Sequence, residues 1–417
     1  MSLTAAEIAE RAQDYDVTSD WHVAHPYPFL RKLRRAHPVF HSANLESFVL
    51  TRYADVRAAL SDHERFSSLG ILTASTRLTD EVRAMLGAHD AFLGRFAANV
   101  DPPTHIRLRR AMSRAFTPRA VAAMEERYRA LVHESVDRVV ADGHGDFVAD
   151  FATYAPARLM ARFTGIPEAD GARVKRWVED WFQLFLARVD PAIQPRLAAS
   201  FLKYLDYVDE LISARMAEPA DDFASVMAAQ VDGTPDGLDR LDVVEQISAL
   251  LLGGNDTVPN GVGSTAYRLL AGGHWRALAE EPELVSRAVE EGLRYDGAAT
   301  GIFRLATTDV ELHGVTIPAG SFVFVSQDSA GHDETVFADP EVFDLHRLNA
   351  AAHMAFGYGI HHCVGAALTR LEMRVALEVL TARLPSLRLV PGTPVVHRRS
   401  VTGRGLAALA VEWDERG

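Results

Sequence analysis

Residues 356–365 of the 417-residue chain read FGYGIHHCVG and include its single cysteine, Cys363. Residues 366–383, directly after them, have the apolar spacing of an amphipathic helix. A thiolate at the start of a helix is stabilised by the helix dipole and by backbone amide groups. The glycines allow the backbone to pass close to a flat, bulky group. The segment therefore predicts a cysteine thiolate that ligates the iron of a haem.

Two other interpretations of Cys363 have to be considered. Most cysteines outside disulfides are small, buried apolar side chains, although the glycine spacing around this one argues against that role. Cys363 could also bind zinc together with His361 and His362. Adjacent residues rarely converge on one tetrahedral metal ion, and no C-x-x-C motif supports zinc, so haem ligation is the preferred interpretation.

The segment resembles the haem-binding loop of the cytochrome P450 family, which reads F-G-x-G-x-H-x-C-x-G, and it matches every fixed position. The resemblance implies a mainly α fold with a small β-rich part, arranged as the single triangular domain of that family. We expect this one domain to cover residues 1–417, because the chain has no Gly/Ser-rich or Pro-rich linker, low-complexity tract or internal repeat.

The resemblance also implies how the loop contacts its cofactor, haem b (iron protoporphyrin IX). Cys363 would be the axial ligand of the iron. His361 would donate a hydrogen bond to a haem propionate. Phe356, Gly357 and Gly365 would contact the haem.

The composition argues against several classes of protein. The formal net charge of -13 argues against nucleic acid as a partner. The first 20 residues have no basic segment followed by an apolar one, so we expect no signal peptide. No run of about 18 uninterrupted apolar residues is present, so we expect no membrane anchor. One cysteine fits a reducing cytoplasm and cannot hold an iron–sulfur cluster, so electrons must come from another protein.

A second segment, DPPTHIRLR at residues 101–109, carries two basic side chains one helical turn apart. Asp101 to Thr104 form a helix start, since the prolines stop the preceding structure. His105 and Arg109 then lie at i and i+4, and for an isolated pair an exposed polar face would be the simplest explanation. The family has D-P-P-x-H-x-x-x-R here, and the resemblance implies that both side chains donate hydrogen bonds to the haem propionates.

The same helix is unusually basic for an acidic protein. A solvated helix face would explain the charges. We hypothesise instead that the outward arginines dock an acidic ferredoxin, the electron donor, which a ferredoxin reductase would reduce with NAD(P)H. The basic side chains, including two on the helix after Cys363, are Arg107, Arg110, Arg114, Arg119, Arg370 and Arg374.

A helical pattern from about residue 239 to 271 would be roughly 45–50 Å long. Its middle reads GGNDT at residues 253–257, where an acid and a hydroxyl between apolar flanks would be buried at a cost. The oxygen-activating helix of the family reads [A/G]-G-x-[D/E]-T, and all fixed positions match. The resemblance implies that Gly253 leaves room over the iron, that Thr257 holds dioxygen and water, and that Asp256 relays protons.

Three further residues resemble the structural triad of the family. Glu291 and Arg294 are spaced i and i+3, which alone would be an ordinary helix ion pair of little value. The family has E-x-x-R here, and Arg347 in the segment FDLHR matches its third member. The resemblance implies that the triad fixes the cysteine loop. It also implies that Arg304, which begins a strand-like stretch, reaches a haem propionate.

The substrate pocket is the least defined part of the sequence. In the family, residues 61–100 cap the pocket, although the sequence alone shows only a loop. Aromatic residues at helical spacing near 177–187 are more often core packing than substrate contacts. By resemblance, the side chains that could line the pocket are Phe182, Phe185, Ala298, Ile302, Val401 and Thr402. The substrate, the site of oxidation and the oligomeric state do not follow from the sequence.

The residues predicted at the iron favour a haem-thiolate monooxygenase that uses dioxygen to hydroxylate or epoxidise a small organic substrate. The soluble bacterial members that the chain resembles commonly tailor polyketides, peptides, terpenes or aromatics in secondary metabolism. A peroxide-driven enzyme is one alternative, but such members typically lack the acid–alcohol pair. A non-catalytic haem sensor or carrier is another, and it would not need that pair.

Overall fold

A computed structural model describes residues 5–71, 78–87, 89, 95–186, 189–232, 234, 237–398, 400 and 403–414. The chain is divided into two compact units. The first unit consists of residues 1–66, 123–156 and 257–417. The second unit consists of residues 67–122 and 157–256.

Helices dominate the described residues, and short strands make up the rest of the regular structure, so the predicted fold class is confirmed. The helices are α1 (Ala5–Gln13), α2 (Asp20–Ala24), α3 (Tyr27–Ala36), α4 (Tyr53–Ser61), α5 (Asp80–Leu86), α6 (Thr104–Ser113), α7 (Pro118–Ala122), α8 (Glu125–Asp137), α9 (Tyr154–Thr164), α10 (Gly171–Leu186), α11 (Gln194–Ala217), α12 (Phe223–Ala228), α13 (Arg240–Ala271), α14 (Trp275–Glu280), α15 (Val285–Tyr295), α16 (Gln327–Gly331) and α17 (Ala366–Arg383). The strands are β1 (Val39–Ser42), β2 (Ser47–Leu50), β3 (Phe66–Ser67), β4 (His144–Asp146), β5 (Ile302–Ala306), β6 (Val310–Leu312), β7 (Val315–Ile317), β8 (Phe322–Val325), β9 (Arg388–Leu389), β10 (Val396–His397), β11 (Leu406–Ala408) and β12 (Ala410–Glu412). None of the described helices has both the length and the apolar character that a membrane span needs.

A five-stranded sheet with the order β1-β2-β8-β5-β3 is the largest sheet of the described residues. β1 pairs antiparallel with β2, β2 pairs parallel with β8, and β8 pairs antiparallel with β5. Its strands are rich in Val, Phe and Leu, which favour a pleated, half-buried surface. The apolar side chains of the sheet and of α4 share one buried core, which includes Val39, Leu50, Val56, Leu60, Val323 and Val325. This core supports β5, the strand that carries Arg304.

The second unit is built around α10 and α11, which pack against each other. The ring of Phe185 on α10 lies 5.1 Å from the ring of Phe201 on α11. One turn earlier on α10, the ring of Trp181 lies 5.8 Å from the ring of Phe96. All four aromatic side chains are buried, so they stabilise this unit as core residues.

The longest helix, α13, has 32 residues and runs through both units, within one residue of the range that the sequence pattern predicts. At 1.5 Å per residue it is about 48 Å long. Gly254, one of the two glycines of its GGNDT segment, has a packing role. A Cβ built on Gly254 would lie 2.1 Å from Cε of Met160, so the methionine side chain packs directly against the helix backbone.

A glycine in α15 allows a similarly close contact with α13. A Cβ built on Gly292 would lie 2.1 Å from Oγ1 of Thr265 and 2.9 Å from its Cβ. We therefore expect Gly292→Ala to lower the free energy of unfolding by about 1–3 kcal/mol, since overpacking outweighs the better helix propensity of alanine. Urea unfolding followed by far-UV circular dichroism measures the change.

Gly171 at the start of α10 is the matched control for this prediction. It has helical φ and ψ, and a Cβ built on it meets no atom within 4 Å. Gly171→Ala should leave the stability unchanged or raise it by up to about 1 kcal/mol. If the two variants have equal stability, the close contact at Gly292 does not constrain the helix packing.

Candidate active site

The loop before α17 folds back on itself. The amide of Cys363 donates a hydrogen bond to the carbonyl of Phe356 over 2.8 Å, which closes the loop. Gly357 and Gly359 both have a φ of 72°, in the left-handed region that favours glycine. A Cβ built on Gly359 would also lie 2.6 Å from the carbonyl oxygen of Leu60. Backbone geometry therefore requires two glycines of the motif.

Cys363 is exposed, although cysteines outside disulfides are among the most buried residue types. Gly365 is the N-cap of α17, so the sulfur lies beside the positive end of an 18-residue helix. A Cβ built on Gly365 would lie 3.9 Å from Sγ of Cys363, so this glycine keeps the surroundings of the sulfur open. An accessible sulfur beside a helix N-terminus suits a metal-ligating thiolate.

The structure brings together the three residues predicted as a structural triad. Arg294 donates to both carboxylate oxygens of Glu291 through Nε and Nη2, each over 2.7 Å, and both side chains are fully buried. Nε of Arg347 donates to the same carboxylate over 3.2 Å, and the amide of Asp344 donates over 2.9 Å. The carboxylate thus joins α15 to the segment that precedes the cysteine loop.

The four side chains predicted to reach haem propionates lie on three different elements. In the first unit, Arg304 is buried in β5 and donates to the carbonyl of the preceding residue over 2.8 Å. His361 is half-buried and ends a short 3-10 turn. In the second unit, His105 is buried on α6, and Arg109 is half-buried one turn later.

The acid–hydroxyl pair of α13 is less enclosed by protein than the sequence suggests. Gly253 and Thr257 are exposed and lie one turn apart, and Asp256 is half-buried. A Cβ built on Gly253 would meet no atom within 4 Å. The expectation of a buried pair is therefore wrong. The physical reason is that Gly253 and Thr257 lie on a face of the helix that the described residues leave exposed.

The basic residues predicted to form a docking surface separate into two groups. Arg107 donates to Asp242 over 2.5 Å, Arg370 is bound to Glu290, and Arg374 is bound to two other carboxylates. These three guanidinium groups are held in ion pairs, so they do not extend the surface as the sequence suggested. The other three predicted residues are exposed and make no ion pair within the described ranges of the chain; they are Arg110, Arg114 and Arg119.

Sequence reasoning missed a buried acid in the first half of α13. Glu245 is fully buried, and burial raises its pKa to about 9 because the opposing effect of Arg95 is smaller. The carboxyl group is therefore protonated at neutral pH. The next residue, Gln246, accepts from the amide of Ala97 over 3.1 Å and donates to the carbonyl of Arg95 over 2.9 Å. The side chain of Gln246 therefore holds residues 95–97, at the end of the predicted capping loop.

The two aromatic pocket candidates of α10 differ in environment. Phe185 is buried against Phe201, so its described contacts are those of a core residue. Phe182 is half-buried on the same helix and is the more accessible of the two. Phe185 therefore has a packing role, whereas Phe182, less than one helical turn away, is at the more accessible position.

The other pocket candidates belong to the segment after α15 and to the segment before β11. Ala298 and Ile302 are half-buried. Val401 and Thr402 lie outside the described residues. The amide of Arg404 donates to the carbonyl of Ala298 over 2.8 Å, so the two segments are hydrogen-bonded to each other.

Asp296 reinforces this connection and was not expected from the sequence. Its carboxylate accepts from Nε of Arg268 on α13 over 2.5 Å, from Nε of Arg404 over 3.1 Å, and from the hydroxyl of Tyr27. Burial alone would raise the pKa of Asp296, but Arg404 and Arg268 lower it well below its ordinary value. The carboxylate therefore stays charged. It binds the segment after α15, to which Asp296 belongs, to α13 and to the segment before β11.

Removing the charge of Asp296 should leave the buried Arg404 and the half-buried Arg268 without their counter-ion. We expect Asp296→Asn to lower the free energy of unfolding by about 3–5 kcal/mol. Because the pKa is lower in the folded chain, the native pair stabilises the fold above roughly pH 4 and loses its contribution as the pH falls. Urea unfolding at several pH values measures both effects.

An exposed pair of the same charge type provides the control. Glu280 binds Arg276 over 2.9 Å, with 63% and 81% of the side chains exposed. Glu280→Gln should change the stability by less than about 1 kcal/mol. An equal effect of the two substitutions would contradict a special role for the buried carboxylate.

A cysteine sulfur at a helix N-terminus, together with an acid–hydroxyl pair on the open face of a long helix, indicates a haem-thiolate protein that activates dioxygen. Comparisons with known proteins agree with this class. A family model described as Cytochrome P450 matches residues 277–384. The Mycinamicin IV hydroxylase/epoxidase of Micromonospora griseorubida is 35% identical over 373 residues, which are 88% of this chain and 90% of the relative.

Other relatives and solved structures extend the likeness over nearly the whole chain. The cytochrome P450 monooxygenase PikC of Streptomyces venezuelae is 32% identical and covers 94% of this chain and 91% of its own length. The nocardicin C N-oxygenase of Nocardia uniformis subsp. tsuyamanensis is 34% identical and covers 88% and 90%. The CYP116B5 heme domain of Acinetobacter radioresistens superimposes with a TM-score of 0.91 at 27% identity, covering 98% of this chain and 99% of that one.

The chain belongs to the cytochrome P450 family and is a haem-thiolate monooxygenase. The residues present fit the haem of this family. The sulfur of the single cysteine is exposed, and glycines keep both its surroundings and a face of α13 clear of side chains. A thiolate is also the ligand that favours O–O cleavage at haem iron.

Proposed function

We propose that this chain hydroxylates or epoxidises a small organic molecule in the tailoring of a secondary metabolite. The observation that carries the proposal is the pair Asp256–Thr257 on the open face of α13, beside a glycine that leaves that face clear. Relatives of similar length are named for oxidising mycinamicin IV and nocardicin C, which supports this class of substrate. A reducing cytoplasm suits a chain whose single cysteine has to stay a thiolate.

We assign the haem contacts as follows. Cys363 would ligate the haem iron, and its loop is held by the hydrogen bond from its amide to the carbonyl of Phe356. Bound haem b supplies the iron at which dioxygen is activated. The proposed propionate donors are His105, Arg109, Arg304 and His361. The other proposed haem contacts are Phe356, Gly357, Gly365 and Gly253.

The proposed chemistry of the chain itself is proton delivery. Asp256 is half-buried, so its carboxyl group can take a proton from solvent. Thr257 is the next residue on the helix, and its hydroxyl can accept a hydrogen bond and donate one onward. The pair would therefore hold a proton and an ordered water at the oxygen site.

The substrate class can be identified by titrating the purified haem protein with macrolactones, terpenes, carrier-tethered amino acids and simple aromatics. We expect one class to give a saturable low-spin to high-spin shift of the Soret band. With that compound, Thr257→Ala should keep the shift but give at least about tenfold less product per NAD(P)H consumed, because such proton transfer contributes roughly 10²–10⁴-fold.

Thr257→Ser is the control, since it retains the hydroxyl and should keep most of the coupling. Full coupling in Thr257→Ala would contradict the proposed proton delivery. A protein that binds no haem, or whose carbon-monoxide complex lacks the red-shifted thiolate band, would overturn the assignment of Cys363.

We further propose that the electrons come from NAD(P)H through a ferredoxin reductase and a ferredoxin. The support is electrostatic: the protein carries a net charge of -13, yet α6 and the residues after it expose three arginines without ion pairs among the described residues. An acidic donor would be attracted to this local positive surface. The three arginines are Arg110, Arg114 and Arg119.

Charge reversal tests this surface. The double variant Arg110→Glu and Arg114→Glu should slow reduction by ferredoxin by about tenfold at low ionic strength, and added salt should reduce the difference. Stopped-flow reduction of the haem measures the rate. Arg176→Glu, an exposed arginine on α10, is the control for net charge. An unchanged rate in the double variant would place the donor elsewhere.

A further inference from the structure

Glu290, the residue before Glu291 of the triad, contacts α17. Glu290 on α15 accepts two hydrogen bonds from Arg370 on α17, from Nε over 2.5 Å and from Nη2 over 3.1 Å. Such a bidentate pair fixes the orientation of the guanidinium plane as well as its position. Glu290 therefore holds the helix that follows the cysteine.

The same carboxylate lies close to His353, three residues before the cysteine loop. Nε2 of His353 lies 3.2 Å from Oε2 of Glu290. The amide of Ala355 donates to Nδ1 of this histidine over 3.1 Å, so Nδ1 acts as the acceptor and carries no proton. The ring proton must then be on Nε2, the atom that faces Glu290. The two groups are therefore within ion-pair distance, although Nε2 makes no hydrogen bond of good geometry among the described residues.

Both partners of Glu290 also contact the aromatic ring of the loop. The guanidinium carbon of Arg370 lies 4.6 Å from the ring centroid of Phe356, a cation–π distance. The ring of His353 lies 5.7 Å from the same ring. The carbonyl of Phe356 accepts the hydrogen bond from the amide of Cys363. A continuous series of contacts thus runs from Glu290 to the cysteine.

Charge and burial both stabilise the cluster of Glu290, His353 and Arg370. The side chain of His353 is 2% exposed and that of Glu290 is 21% exposed. Burial alone would raise the pKa of Glu290, but His353 and Arg370 lower it to about 2. The carboxylate is therefore ionised at neutral pH. A lysine in place of Arg370 would keep the charge. It would lose the planar guanidinium group, which pairs with Glu290 and also lies over the ring of Phe356.

We infer that Glu290, acting through His353 and Arg370, is a positioning residue for the cysteine loop. It clamps the Phe356 side of the loop, whereas Glu291 holds the segment before the loop. The inference rests on the proposed role of Cys363 as the iron ligand. Loss of the clamp would let the loop move at the sulfur, so thiolate ligation should be lost more readily than the fold.

The carbon-monoxide complex of the ferrous holoprotein reports directly on this ligation, because its band shifts to the blue when the thiolate ligand is lost. In Glu290→Gln and in Arg370→Lys we expect the ratio of blue-shifted to thiolate-ligated complex at a fixed, sub-denaturing urea concentration to rise about tenfold over the parent protein. Far-UV circular dichroism at the same urea concentration should show the helices intact.

Glu125→Gln is the matched control, because Glu125 binds Arg374 on the same helix, α17, over 2.8 Å. It breaks a comparable ion pair without contact to Phe356, so the band ratio should stay at the parent value. A parent-like ratio in both clamp variants, or an equal rise in the control, would overturn the inference. If Glu290→Gln fails to fold, Arg370→Lys, which keeps the charge, decides the question. A parent protein without any thiolate band would instead refute the proposed role of Cys363.

Discussion

One buried ion pair holds the segment that precedes the cysteine loop. Glu291 and Arg294 expose none of their side-chain surface, and removing two such charges from water costs several kcal/mol per ion. The cost is offset only when the remaining lone pairs and protons find partners. Here the carboxylate also accepts from the amide of Asp344 and from Arg347. Because hydrogen bonds are directional, this pair fixes the position of residues 344–347 in a way that apolar packing would not.

The end of α15 extends the same principle to other parts of the first unit. Glu290 contacts α17, Glu291 contacts residues 344–347, and Asp296 contacts α13. Successive helix residues are rotated by about 100°, so adjacent acids face different neighbours. One helix end therefore contacts the segments before and after the cysteine loop in the chain and also holds the helix that carries Thr257. A displacement of α15 would be transmitted to both.

Local patterns in the sequence predict the elements well, and long-range contacts poorly. α17 spans the residues that its apolar spacing predicts, and the triad follows from a family motif. The partners of Glu290 are different: Arg370 is 80 residues away, and no periodicity of a single sequence marks such a pair. The burial of Thr257 was predicted wrongly for a related reason. Apolar flanks show that a helix is packed, but they do not show which of its faces is left open.

Whether a buried acid is charged depends on the cations around it, and this decides what the acid can do. Glu290 is ionised beside Arg370, so it acts only as an acceptor and can orient donors. Burial keeps Glu245 protonated despite the nearby Arg95. Arg95 is 2.6 Å from Asp239 and 3.4 Å from Asp242, and the side chain of its nearer partner, Asp239, is 56% exposed. An exposed carboxylate such as that of Asp239 remains hydrated when it is charged. Its ion pair with Arg95 therefore avoids the desolvation cost that an ionised, buried Glu245 would have. The same residue type is therefore an anion that orients donors at Glu290 and a neutral buried group in α13 at Glu245.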